Sequence, residues 1–346
     1  MSEHKKAEVN VLMLGARRAG KTSILASMCE IFDNIQAVSG ASLSLNQDLQ
    51  NDTNIDSALG SMKKIFYNHQ NQAVFDTVND VQTTEGRRDY TFNLRVLKNK
   101  KSKHSIRFTD LPGEYIAPPD NCTAEEKARR EATVRTVYDE SDIIFVAIDT
   151  VFLMEKYGLY NEQNNECSKI TRWLKDINPE NNARKMVLFV PIKFETYYYS
   201  GRASEVNRQI HIAYDQLINF LTRDDHKDSF FVAITPVLTL GDVIFERFND
   251  SSNGNPIALY KFRSGLAKYN PQFCEQPMLY VLSYLYQLIK YKNSGKEKKF
   301  KLWWDKFLNS VFSIKNDRVF LLEIEKAMKA RKTDAPFEII QDSFKK

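Results

Sequence analysis

Eight residues near the start of the chain, Gly15-Ala16-Arg17-Arg18-Ala19-Gly20-Lys21-Thr22, fit the pattern G-x-x-x-x-G-K-[ST] at every fixed position. These residue types at this spacing suit one task, the gripping of phosphate oxygens. The glycines let backbone N–H groups turn inward, Lys21 supplies a cation that reaches β- and γ-phosphates, and the Thr22 hydroxyl is a ligand for a magnesium ion. The pattern works only between a strand and a helix. Val9 to Leu14 is an apolar run of buried-strand length, and Ser23 to Met28 places Ile24, Leu25 and Met28 on one helical face. A helix starting there adds about half a positive charge at its N-terminus, so an anion is favoured before any side chain acts. Residues 15 to 23 are therefore the candidate phosphate-binding residues.

The rest of the chain must supply the elements that hold this loop. At 346 residues it has ample material for a buried core, and 42% apolar with 27% charged residues is ordinary for a globular protein. The formal charge of +5 is too mild to argue for nucleic-acid binding. The four cysteines lie far apart with no C-x-x-C pair, and Cys29 and Cys274 sit among apolar residues, so reduced thiols in a cytoplasmic, soluble protein are expected. No apolar run reaches membrane-spanning length.

Residues 34 to 50 are rich in Ser, Asn, Gln and Gly and read as a loop. Ile55, Leu59, Met62 and Phe66 recur at helical spacing, which predicts a helical insertion over about 50–70, either filling out the fold or lying as a lid over a ligand. Tyr90, Phe92, Leu94 and Val96 alternate, and 104–109 form a second strand, so 88–109 read as a hairpin. Further helices are expected at 123–139, 166–177 and 205–221, with apolar strands at 142–149 and 229–234 and a strand running into its loop over 185–195. Short strand-like pieces at 239–270 read as a peripheral insertion, and 276–290 as an apolar closing helix. The alternation predicts an α/β fold: a three-layer P-loop NTPase sandwich, its mostly parallel sheet carrying one antiparallel strand from the hairpin. Residues 1–292 form the domain. Residues 293–346 read as a basic amphipathic helical tail, with Trp303, Trp304, Phe307, Leu308, Val311 and Phe312 on its apolar side. Such a helix could lie on an anionic membrane, but a broad apolar face on a surface helix more often packs on protein.

Thr109-Asp110-Leu111-Pro112-Gly113-Glu114, following a hairpin and downstream of the phosphate loop, resembles the translation-factor-related and Ras-like class of P-loop GTPases. The combination of G-A-R-R-A-G-K-T-S-I-L-A-S-M, T-D-L-P-G-E, A-I-D-T and V-P-I-K-F-E is similar to bacterial GTPases of the double-GTPase type, associated with conflict and phage-defence systems. This resemblance covers roughly residues 8 to 292 and leaves the tail unexplained. It implies that Asp110 holds magnesium through a water and that the Gly113 N–H senses a γ-phosphate. It also requires a threonine ahead of the hairpin to close over the metal, and Thr83 and Thr84 both stand there. Where the class carries N/T-K-x-D to read guanine, this chain has Ile192-Lys193-Phe194-Glu195. The Lys193 stem would lie over the base, and the Glu195 carboxylate can accept both guanine protons, which adenine does not offer on that edge. Pro236 and Val237 occupy the place where a backbone N–H meets the guanine carbonyl oxygen.

A GTP-binding protein and slow magnesium-dependent GTPase is what the resemblance implies. Glu114 stands where a water-orienting glutamine is usual, and its charge would repel the γ-phosphate. Arg17 and Arg18 could compensate as a built-in arginine finger, block the water, or face solvent. The other readings are a GTP-binding scaffold with little turnover, and an ATP-dependent P-loop enzyme. Protein partners would dock on the switch loops, the insertions or the tail.

Overall fold

β1 (Ala7–Leu14) runs through the middle of the sheet, and its Val11, Leu12, Met13 and Leu14 are sealed from solvent on both faces. A strand covered on both sides must be apolar along its length, hence the continuous run in place of alternation. The computed structural model of the chain describes residues 7–39, 42–45, 52–78, 80, 86–95, 104–116, 118, 121–176, 184–249, 256–278, 280–281 and 337–343. Thr83, Thr84, the helices expected at 302–328 and most of the closing helix lie outside them.

These residues form an eight-stranded sheet in the order β10-β7-β6-β5-β1-β4-β3-β2. β5 (Ile143–Asp149), β6 (Lys185–Ile192) and β7 (Phe230–Ile234) extend it in parallel on one side of β1. On the other side β4 (His104–Asp110) is parallel to β1, and β3 (Arg88–Arg95) returns antiparallel as the expected hairpin. Both edges differ from the sequence reading. Within the expected 34–50 loop, α1 (Lys21–Ser39) runs on and β2 (Ser42–Leu45) pairs antiparallel with β3. Its Leu43 and Leu45 alternate with serines, enough for a short edge strand. At the opposite edge the tail is not wholly helical: β10 (Glu338–Gln341) pairs antiparallel with β7. Ile339 packs toward one core layer and Ile340 toward the other, which is the two-residue period of a strand.

One helical layer is α1 with α2 (Asp52–Asn68), whose Ile24, Leu25, Met28, Ile55 and Met62 share a core with Val11 and Met13. The expected insertion helix thus fills out the fold. The other layer contains α3 (Ala124–Glu140), α6 (Cys167–Lys175), α8 (Ala203–Ala213) and α9 (Asp215–Thr222), packed on Leu12 and Leu14. α3 begins at a capping box in which Thr123 and Glu126 each bond the other's backbone N–H. Between these come the short helices α4 (Thr150–Met154), α5 (Asn161–Asn165) and α7 (Glu195–Tyr199). β8 (Val243–Asn249) and β9 (Ile257–Phe262) make a separate two-stranded sheet. Phe75, beyond α2, exchanges two backbone hydrogen bonds with Tyr260 of β9, at 2.9 and 2.7 Å, so the two insertions touch. None of the cysteines is bridged, and no described helix is long and apolar enough to cross a membrane.

Candidate functional site

The phosphate loop leaves β1 between its two neighbours. A Cβ on Gly15 would lie 3.0 Å from the Ala147 carbonyl oxygen of β5. At Gly20 φ is 93°, a backbone conformation that favours glycine, and a Cβ there would also meet the end of the Ile192 side chain of β6. Ala16 and Ala19 are buried beneath the loop, while Arg17 and Arg18 face solvent. The Ile24 N–H bonds the Gly20 carbonyl at 3.1 Å, and Ser23 lies in the first turn of α1.

Lys21 is 6% exposed and donates to the Gly15 and Ala16 carbonyl oxygens at 3.1 and 3.4 Å. Its ammonium lies 3.8 Å from Asp110 Oδ1 at the end of β4. Burial lowers the Lys21 pKa, and the Asp110 carboxylate opposes that shift. The Thr22 hydroxyl donates to Asp110 Oδ2 at 2.9 Å. A hydroxyl and a buried carboxylate side by side at a helix start are hard-oxygen donors. They fit magnesium, which takes one or two protein oxygens and completes its octahedron with water and phosphate.

Three residues past Asp110, Gly113 opens a single helical turn lying directly on the phosphate loop. A Cβ there would be 2.1 Å from the Arg17 nitrogen and 2.6 Å from the Ala16 carbonyl carbon, so no side chain fits. Glu114, next along, pairs with Arg17 at 3.4 Å, both groups being well exposed. Arg130 of α3 donates to the Glu114 carbonyl oxygen at 3.2 Å and lies 5.8 Å over the Tyr115 ring, tying this turn to the following helix. Lys21, Thr22, Asp110 and Gly113 thus lie together at the phosphate loop, while Thr83 and Thr84, also expected at the magnesium, lie outside the described residues.

The other end of the site departs from expectation. Lys193, with φ 54°, reaches Asp149 at the end of β5 and forms an ion pair with it instead of standing free to lie over a base. Burial disfavours its charge, but Asp149 and Tyr260 hold its pKa above the usual lysine value. Glu195, the first residue of α7, is 3% exposed, and its Oε1 accepts the Leu240 and Gly241 N–H groups at 2.9 and 3.2 Å. Burial raises its pKa, partly offset by those two N–H bonds and by Lys193. Pro236 has no N–H, and the Val237 N–H is already given to the Pro191 carbonyl oxygen at 2.9 Å. The β6–β7 pairing runs on past the strand ends, so neither residue offers the amide expected for a guanine oxygen. Asp149, Leu240 and Gly241 were missed in the sequence. The first was visible as the acidic end of an apolar strand; the other two act through backbone groups, which residue type does not reveal.

The model of the Double-GTPase 2 family matches residues 10–216. No curated protein matches the sequence. Among solved structures the chain is similar to the S. cerevisiae Ski7 GTPase-like domain bound to GTP, at 15% identity and TM-score 0.40, over 86% of this chain and 54% of that one. The same domain bound to GDP and inorganic phosphate gives 13% identity and TM-score 0.38, over 85% and 52%. The cytosolic domain of the T. maritima FeoB iron transporter in apo form gives 13% identity and TM-score 0.26, over 66% and 57%. The chain spans about half the length of the Ski7 chains it matches.

Proposed function

The chain belongs to the Double-GTPase 2 family, and from that premise we propose that it binds GTP with magnesium and hydrolyses it slowly, as a molecular switch. One observation carries the proposal: the Gly113 turn rests on the Arg17 backbone, beside the Lys21, Thr22 and Asp110 constellation. A γ-phosphate held by Lys21 would enter between two backbones already in contact. The D-x-x-G turn would then have to reseat against the phosphate, which couples nucleotide state to the shape of a loop.

Lys21 and the loop amides grip the β- and γ-phosphates, and their positive charge favours the transition state. Thr22 and Asp110, together with Thr83 or Thr84, would hold the magnesium, whose charge offsets that building on the phosphate oxygens. Glu114 supports the slow rate: its carboxylate can accept a hydrogen bond from an attacking water, yet it sets a negative charge against the phosphate. The Arg17 guanidinium partly neutralises it. Arg18 is assigned to solvent. Guanine selectivity is assigned to Glu195, with Lys193 as its charged neighbour. The bacterial defence setting rests on the family resemblance, and protein partners would read the switch turn.

Titration of purified protein with fluorescent GTP and ATP, with and without magnesium, tests the reading, followed by single-turnover hydrolysis. Magnesium-dependent binding that prefers GTP and is lost in Lys21→Ala is expected; equal or better ATP binding would overturn it. GTP bound without any measurable turnover would instead favour the scaffold reading, to which the charge of Glu114 also points.

A further inference from the structure

The antiparallel register of β3 and β4 sets Arg88 opposite Asp110 and Tyr90 opposite Phe108. Alternate residues of a strand share a face, so Arg88, Tyr90, Phe108 and Asp110 lie on one side of the sheet. That side carries α1, whose Thr22 bonds Asp110, and Tyr90 shares its core with Ile24, Met28 and Phe108. The next residue on this face of β3, Phe92, meets Phe108 edge-on at 5.2 Å, so a plain phenyl ring suffices for packing here. Tyr90 is fully buried, yet among the described residues its hydroxyl makes no well-formed hydrogen bond. A buried hydroxyl left in that way is costly, and phenylalanine would avoid the cost. Burial raises the Tyr90 pKa and the Asp110 charge raises it further, against the Arg88 guanidinium, so the phenol lies in the field of both groups. Toward Arg88, which has only donors, the phenol oxygen can only accept. Its proton is left for an acceptor, and Asp110 is the carboxylate whose charge it feels.

We propose that Tyr90 is a positioning residue of the magnesium site: its buried hydroxyl donates to the Asp110 carboxylate when that side chain serves the metal. The inference rests on the reading of a magnesium-dependent GTP site above. In the structure Asp110 Oδ2 takes the Thr22 hydroxyl at 2.9 Å, and Oδ1 lies 3.8 Å from the Lys21 ammonium. Both partners have other work in the loaded site, Thr22 toward the metal and Lys21 toward phosphate. The carboxylate then needs a donor that is neither, and the phenol stands on the same face of the sheet, its ring fixed by the core. A group of this kind holds a metal-binding carboxylate in one orientation without touching metal or nucleotide itself.

Tyr90→Phe removes the hydroxyl and keeps the ring. Release of a fluorescent, non-hydrolysable GTP analogue would be timed in wild type and variant across a range of magnesium concentrations, and in EDTA. Wild type should hold the nucleotide longer as magnesium rises. The half-effective magnesium concentration should be about tenfold higher in Tyr90→Phe, the usual loss for a group that orients a metal ligand. Release in EDTA should match wild type, and the melting temperature of the nucleotide-free protein should not fall. A residue that only packs would leave the half-effective concentration where it was. Should Tyr90→Phe fail to fold, Tyr90→Met supplies an apolar, adaptable side chain without the hydroxyl and is read in the same way. A folded variant whose half-effective concentration stays within about twofold of wild type overturns this inference and leaves the GTP reading intact. A wild type whose nucleotide release ignores magnesium overturns both.

Discussion

Lys21 spends its donors on two carbonyl oxygens of its own loop and lies opposite a buried aspartate, so its charge is poised where phosphate oxygens can replace those partners. Replacing it with alanine should weaken triphosphate binding by on the order of a hundredfold, read by calorimetry, since a charge-assisted contact to phosphate has no substitute there. Glu114 is the residue to change for rate. Glu114→Gln should raise single-turnover hydrolysis by about tenfold, equivalent to removing roughly 1.4 kcal/mol of repulsion from the barrier. The exposed pair with Arg17 contributes little to stability, so the melting temperature should stay put. An unchanged or slower rate would show that the carboxylate is not what limits turnover. Glu195 gives a pH signature. Its pKa is raised above 4.5 by burial, so the folded state favours the protonated form. That contribution is present below about pH 4.5 and is lost as pH rises through the folded-state value. Glu195→Gln should therefore stabilise the protein more at about pH 8 than at about pH 4; a melting-temperature difference that stays flat would contradict the burial argument. The phosphate residues were legible because their spacing is fixed by the ligand. The partners of Lys193 and Glu195 were not: Asp149 lies 44 residues from Lys193, and two of the groups that bind Glu195 are plain amides.

At the scale of elements, the Gly113 turn is held between the phosphate loop below and Arg130 of α3 above. Gly113→Ala must displace one backbone from another, because its nearest neighbours are main-chain atoms. We expect a loss of roughly 1–3 kcal/mol in urea unfolding, typical of overpacking, together with a loss of any nucleotide-dependent protection of the turn from proteolysis. A variant as stable as wild type would mean that the turn is not seated on the loop. Elements such as the continuously apolar β5 and β6 or the capped α3 were readable because burial on both faces or a capping box leaves a local trace. β2 and β10 left too short a trace to stand out, since a four-residue strand gains its stability from the edge it joins, which no local window contains. The same holds for α8 and α9, read as one helix but divided where Tyr214 leaves helical geometry.

Across the whole molecule, β10 covers the flank of β7 that would otherwise expose a row of unpaired backbone groups. Its side chains are well anchored. Gln341 donates to the Leu221 and Phe230 carbonyl oxygens at 3.0 and 2.8 Å, Glu338 accepts from Asn207 at 3.2 Å, and Arg184 donates to the Ser343 carbonyl oxygen at 2.8 Å. Removing residues 337–346 should lower stability by roughly 3 kcal/mol and make the protein associate as its concentration rises, measurable by calorimetry and light scattering. A truncated chain that melts like the full one and stays monodisperse would reject a stabilising role for this strand.

That anchoring has a topological consequence. Residues 337–343 are tied into the sheet by their own contacts, so severing the backbone at an engineered protease site between residues 281 and 337 need not release the carboxyl-terminal piece. The final strand would behave as a detachable subunit that happens to be synthesised in line. A dye-labelled peptide of residues 337–346 should then be able to take its place, giving a direct optical readout of how tightly the sheet keeps its outermost member.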